Sequence, residues 1–248
     1  MRIPRIYTGQ ELRGNTRIEL EPGPSAHIAR ALRMREGDKL TLFNGEGGEY
    51  PTEIASVGKK KVVVTTGAHQ ALELESNLRI HLGIAVSRGD RMDWVIQKAT
   101  ELGVDTLTPL FTERTEVKLA GERAAKKIHH WQQIAISACE QCGRNRLPVI
   151  HALQELGHWL ASTEAQRKLV LHHRADSIGG AGDKPDSIAL LVGPEGGLSD
   201  HEISAAEQAG FQSLRLGPRV LRTETAPLAA IAILQGHWGD MQPGDPTS

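Results

Sequence analysis

Two glycine-bearing turns hold the residues of this chain best suited to chemistry: GPEGGLS at 193–199 and LGPRVLRTETAP at 216–227. Each leaves an apolar strand, crosses the turn, and enters a helix whose start is marked by hydroxyl and carboxylate residues. In the first, Gly193, Gly196 and Gly197 let the backbone bend and approach a ligand without Cβ clashes. Ser199 and Glu202 follow at the spacing of a capping box. In the second, Gly217-Pro218 breaks a strand on which Leu214 and Leu216 alternate, Thr225 is the expected N-cap, and Pro227 falls where a first helical turn accepts proline. Arg222 and Glu224 are left in the loop. A positioned arginine stabilises developing negative charge, and a carboxylate takes up a proton; the plainer alternative is a loop ion pair with no catalytic part. The motifs that cradle phosphates, GxxxxGK[ST] and a strand-linked GxGxxG with an acidic ribose ligand downstream, do not occur. A phosphate ligand is therefore disfavoured. Cys139-x-x-Cys142 supplies half of a structural zinc site with nothing to complete it, so no metal is expected and both cysteines read as helix packing.

The elements that must position these turns alternate strand and helix from residue 78 onward, as in a parallel sheet covered on both faces. Strands are expected at 78–86, 104–110, 168–172 and 188–192, and helices at 91–102, 122–141 and 151–161. In the long helix, Trp131, Ile134, Ala135, Ala138 and Cys142 recur at three and four to form one apolar stripe. The glycine-bearing segment 175–187 should be a mobile loop. Residues 1–70 instead look β-rich, with alternating runs at 39–43 and 61–65, turn signals at Asn44-Gly45 and Gly47-Gly48, and one helix at 27–34 stopped at Gly37. This is a small β-barrel pattern. The polar, acidic stretch 68–77 marks a boundary, giving domains at 1–72 and 73–248.

At 248 residues the chain can bury a sizeable core without disulfides. Two cysteines, no apolar leader and no run of spanning length lead to the expectation of a soluble, cytoplasmic protein with no membrane partner. The net charge of −1 argues superficially against nucleic acid. It conceals a gradient, however: the first 150 residues hold a surplus of Lys and Arg, and the remainder a surplus of Asp and Glu.

Several segments, in order, resemble the RsmE family of ribosomal RNA methyltransferases within the SPOUT superfamily: MRIPRIY, SRGDRMDWVIQKATELGV, ACEQCGRNRLP, GPEGGLS and LGPRVLRTETAPL. The resemblance covers nearly the whole chain. It implies an N-terminal PUA-like β-barrel that grips rRNA, and a C-terminal α/β domain whose chain passes through a trefoil knot. It also implies a homodimer with the knot region at its interface, and S-adenosylmethionine as cofactor; the apolar, alanine-rich helix at 227–234 is read as a candidate for that interface, with a buried intramolecular helix as the alternative. The implied activity is methylation of N3 of one uridine of 16S rRNA near the decoding centre, in the small subunit or an assembly intermediate. Carried over residue by residue, the cofactor pocket comprises Leu171, His172, Gly193, Pro194, Glu195, Gly196, Gly197, Leu216, Gly217, Val220, Leu221, Arg222 and Thr223. Arg222 takes the electrostatic role, with Glu224 or Glu195 as proton acceptor. RNA contacts are expected from Arg2, Arg5, Lys59 and Lys60 in the small domain, and from Arg88, Arg91, Lys98, Arg114, Arg144 and Arg146 beyond it. Rival readings are 2′-O methylation of ribose within the same superfamily, and a non-catalytic RNA-binding protein that keeps the fold.

Overall fold

A computed structural model of the protein describes residues 3–59, 61–172 and 183–242. The chain forms two compact units: Met1–Glu75 with Ile136–Leu147, and Ser76–Ala135 with Pro148–Ser248. Arg2, Lys60 and most of the 175–187 segment lie outside the described residues.

The first unit holds strands β1 (Arg5–Tyr7), β2 (Arg17–Glu19), β3 (Lys39–Phe43), β4 (Tyr50–Val57) and β5 (Val62–Thr66) in one sheet ordered β1-β3-β4-β5-β2. The β1/β3 pair is parallel and the others antiparallel. Period-two alternation sends Leu40, Leu42, Val62 and Val64 to a core with Ile6, Leu20, Ile28 and Ile54. The sequence predicts a helix over 27–34. The chain is instead helical from Pro22: α1 (Pro22–Ala26) runs directly into a π-helical turn at His27–Ala31. The prolines at 22 and 24 are tolerated because they occupy a first turn whose amides need no intrahelical acceptor.

In this unit two expected RNA contacts are structural. The Arg5 side chain is largely buried, ion-paired with Glu49 and hydrogen-bonded to Asn145 Oδ1 at 2.6 Å. Arg144 is 4 % exposed, and its guanidinium donates from Nε and Nη2 to Glu75, the latter at 2.6 Å. A buried guanidinium demands such a partner, so both arginines are committed to the interior.

The second unit is an α/β layer structure. Its elements are β6 (Arg79–Ala85), α2 (Arg91–Glu101), β7 (Thr106–Phe111), α3 (Gly121–Cys142, whose last turns group with the first unit), β8 (Val149–Ile150), β9 (Gln154–Glu155), α4 (Leu156–Ser162), β10 (Arg167–Leu171), β11 (Ser187–Val192), α5 (Asp200–Gln208), β12 (Gln212–Leu214) and α6 (Thr225–Trp238). The sheet order is β12-β10-β11-β6-β7-β8, with β9 also on β7, and every pairing is parallel. Buried on both faces, β6 and β11 are near-continuous apolar runs. The helix predicted over 151–161 starts later, at Leu156. The preceding residues extend instead, because the amides of Val149 and His151 bond to the carbonyls of Asp105 and Leu107 along the β7 edge. Two devices lock helices in this unit. A Cβ on Gly83 would lie 2.5 Å from the Trp159 ring, so α4 packs on bare β6 backbone. Asp93 of α2 accepts from Lys127 Nζ (3.0 Å), His130 Nε2 (2.6 Å) and Trp131 Nε1 (3.0 Å) of α3. Burial works to raise the Asp93 carboxyl, but these three donors hold it below the usual range. Among the described residues, no helix is long and apolar enough to cross a membrane.

Candidate active site

The two glycine turns meet at the carboxyl ends of β10, β11 and β12, where parallel α/β sheets characteristically place ligands. The first turn leaves β11 at Val192, and Gly197 N bonds to Pro194 O at 2.8 Å. Gly197 has φ +69°, a conformation glycine adopts freely. At Gly193 the constraint is space: an added Cβ would lie 2.9 Å from both Leu198 Cγ and the Leu198 amide nitrogen. The turn hands over to α5 through the predicted capping box, with Ser199 Oγ accepting from Glu202 N and Glu202 Oε2 accepting from Ser199 N. The other carboxylate oxygen of Glu202 accepts from Glu113 N at 2.8 Å, pinning the loop after β7 to the same helix start.

The second turn leaves β12 at Leu214 and bends at Gly217, φ +98°. Thr225 is not the cap of α6 but its first residue. Glu224 stands at the cap position without a side-chain bond, and the amides of Thr225 and Ala226 both donate to Arg222 O at 2.9 Å. A backbone carbonyl closes the turn, so no hydroxyl cap is needed.

Between the turns lies a cleft of about 440 Å³. Of the expected pocket residues, Leu171, His172, residues 193–197, Leu216, Gly217, Val220, Leu221 and Thr223 line it; Arg222 does not, and stands exposed on the loop. Also lining it are Val192, Leu198, Ile203 and Leu214, which give the cleft an apolar wall, and Arg114, Arg215 and Arg219. Arg219 lies inside the expected 216–223 span and Arg114, expected to touch RNA, arrives from the loop after β7; the others escape the motif because they flank the glycines in sequence. Two of the arginines are spent on backbone. Arg114 Nη1 donates to Gly196 O (2.8 Å) and Leu198 O (3.3 Å), and Arg215 Nε donates to Gly217 O (3.2 Å).

Charge around the cleft is organised by Arg91, the first residue of α2. Its Nη1 is 2.5 Å from Glu195 Oε1, and its Nε is 3.7 Å from Glu224 Oε2, so one guanidinium ties the first turn to the second. Arg88 N donates to the same Glu195 oxygen at 3.1 Å. Burial works to raise the Glu195 carboxyl, but its own amide, the Arg88 amide and the Arg91 guanidinium together hold it below the ordinary carboxylate range. The plainer alternative of an Arg222–Glu224 ion pair is not formed: Glu224 pairs with Arg91, and Arg222 has no ion-pair partner among the described residues. A broader depression of about 850 Å³ opens alongside, sharing Arg114, Glu195 and Gly196 with the first and bordered by Arg88, Arg91 and Glu116. Arg88 pairs there with Glu116, while Lys98, further along α2, bonds to Glu101 at 2.8 Å. In the first unit, Arg146 is exposed opposite Glu73 and Lys59 is exposed. Cys139 is buried, and hydrogen bonding with Cys142 together with burial pushes its thiol up, so it stays protonated and inert.

Comparison with known proteins agrees with this geometry. An RNA methyltransferase domain model matches residues 74–235, and an RNA methyltransferase PUA domain model matches residues 25–66. The ribosomal RNA small subunit methyltransferase E of Buchnera aphidicola (Schizaphis graminum) is 40% identical over 97% of this chain and 98% of its own. The chain belongs to the ribosomal RNA small subunit methyltransferase E family. The Bacillus subtilis member of that family is 33% identical over 84% of this chain and 85% of its own. The crystal structure of the Neisseria gonorrhoeae member, bound to S-adenosyl methionine, superposes with a TM-score of 0.93 at 38% identity, covering 97% of this chain and all of that one.

Proposed function

We propose that this protein transfers the methyl group of S-adenosylmethionine to N3 of one uridine of 16S rRNA near the decoding centre, in the small ribosomal subunit or an assembly intermediate. The observation that carries the reading is the cleft between the two turns, in a family with a member crystallised with this cofactor. The residues present fit such a ligand. The cleft offers an apolar wall for an adenine and glycine-rich backbone for hydrogen bonds, and Arg114 and Arg215 each brace a turn by donating to its carbonyls. Bound there, the cofactor supplies an electrophilic methyl on a sulfonium.

The remaining chemistry belongs to the chain. Uracil N3 carries a weakly acidic proton and becomes nucleophilic only when that proton leaves, with negative charge developing on the flanking carbonyl oxygens. Arg222, exposed beside the cleft and without an anionic partner among the described residues, is placed to bond such an oxygen. Glu195 is a poor proton acceptor because Arg91 and two amides already stabilise its ionised form; Glu224 is the better candidate of the two. The depression beside the cleft gives a splayed base a route toward the reacting centre. We further read the second unit as a knotted SPOUT domain of a cytoplasmic homodimer, in which Ile233, exposed on the otherwise apolar α6, would be covered by the partner. The test is to incubate the protein with methyl-labelled cofactor and unmodified 30S subunits. Label in the RNA is expected, and label in protein alone or nowhere, despite cofactor uptake, would contradict the reading.

A further inference from the structure

The first unit contains a cleft of about 450 Å³ that the proposed chemistry does not use. Its lining combines an apolar part, Pro22, Ala26 and Ala29 (the floor), with a basic part, Arg30, Lys59 and Lys61 (the rim). Glu19 also lines it but is neutralised by Lys61 at 2.7 Å. Arg30 and Lys59 are exposed and have no ion-pair partner among the described residues. Two cations are therefore left to face the opening.

The walls are built rather than incidental. Ser25, 2 % exposed, donates from Oγ to Leu20 O at 2.9 Å and accepts from Val62 N at 3.2 Å, fixing α1 to the strands on either side. Beyond it the helix widens into the π turn, where Leu32 N reaches back to His27 O at 3.0 Å and Met34 N to Ile28 O at 3.1 Å, and Arg33 takes φ +54°. Isolated π turns are frequently associated with functional sites. This one carries Ala29 and Arg30, a floor residue and a rim residue of the cleft.

We infer that this cleft seats one nucleotide of single-stranded RNA, with its base on the Pro22/Ala26/Ala29 floor and its phosphate between Arg30 and Lys59. The charge complementarity and the volume, within the range of small-ligand sites, favour this occupant. The inference rests on the reading of the protein as an RNA methyltransferase and adds a second point of hold on the same substrate, remote in sequence from the two turns.

The test uses the full chain. An Arg30→Glu/Lys59→Glu variant and an Ala29→Phe variant, which fills the floor while keeping the charges, are compared with the wild type. Three quantities are read: anisotropy with a labelled oligouridylate across a salt series, cofactor affinity by calorimetry, and KM for unmodified 30S subunits. Both variants should bind cofactor as the wild type does, and the charge variant should also melt as it does. The charge variant should lose RNA affinity by about tenfold or more and flatten the salt slope by about one. The floor variant should lose affinity at an unchanged slope, and KM should rise in both while kcat holds. Unchanged RNA affinity and slope in the charge variant would overturn the inference while leaving the methyltransferase reading intact. So would a floor variant that binds normally, or polyaspartate competing as well as RNA. A wild type that takes up cofactor but neither binds nor methylates RNA would remove the underlying reading and this occupant with it.

Discussion

The residues that matter most divide into those that shape the cleft and those that carry charge into it. Gly193 belongs to the first group, since any Cβ there meets Leu198 at 2.9 Å. Gly193→Ala should weaken cofactor binding at least about tenfold, through displacement of the turn, with little change in melting temperature; calorimetric titration checks both halves. Arg222 belongs to the second. Arg222→Ala should lower kcat on the order of 100-fold, as loss of a donor to a developing anion does, with cofactor affinity unchanged. A variant that turned over normally would remove Arg222 from the mechanism. Glu195 illustrates why motif reading alone does not assign roles. A carboxylate in a glycine turn reads as a possible base, yet its bonds to Arg88 and Arg91 make it a tether. Its pairing is fully present above the ordinary range of a glutamate and is lost only as pH falls through the depressed value. No partner could be foreseen for Glu195, because Arg91 lies about a hundred positions earlier in the chain.

At the scale of elements, much of the fold was legible because local pattern and tertiary environment agree. The apolar runs of β6 and β11 need two covered faces, and the Ser199/Glu202 box marks the start of α5 by its own chemistry. What escaped was decided by distant partners. The edge of β7 draws residues 149–155 into extension, the β-sheet of the first unit supports helical structure from Pro22, and burial turns Arg5 and Arg144 from apparent phosphate contacts into internal ion pairs. Two predictions belong here. Gly83→Ala should force Trp159 off the backbone of β6 and destabilise the second unit by roughly 1–3 kcal/mol, measured by denaturant unfolding. His81 on β6 should make the same unit acid-sensitive. Its Nε2 accepts from Trp159 Nε1 at 3.2 Å and lies 2.8 Å from Thr108 Oγ1, so a proton there would oppose the indole donor. Burial, and then the neighbouring His151, lower its pKa from 6.5 to about 4. The unfolded chain therefore binds the extra proton first. Stability is full above about pH 6.5 and declines toward pH 4, by up to roughly 3 kcal/mol. Urea unfolding of the wild type across that window should show the slope, and His81→Gln should flatten it.

In the whole molecule the proposed work is divided between the two units, the first holding RNA and the second holding the cofactor and performing the transfer. The net charge of −1 hides a gradient along the chain, because the acidic surplus of residues 151–248 cancels the basic surplus before them. Family membership then joins what composition could not, since both units match RNA methyltransferase models in one chain. The central claim is that the two-turn cleft directs a methyl group to uridine N3. The measurement that tests it most directly is nucleoside mass spectrometry of 16S rRNA, after unmodified 30S subunits have been treated with the wild type and, in parallel, with Arg222→Ala. 3-Methyluridine at a single site is expected with the wild type and sharply slower formation with the variant; methyl groups on ribose 2′-oxygens would refute N3 as the target, and equal 3-methyluridine from both proteins would remove Arg222 from the mechanism.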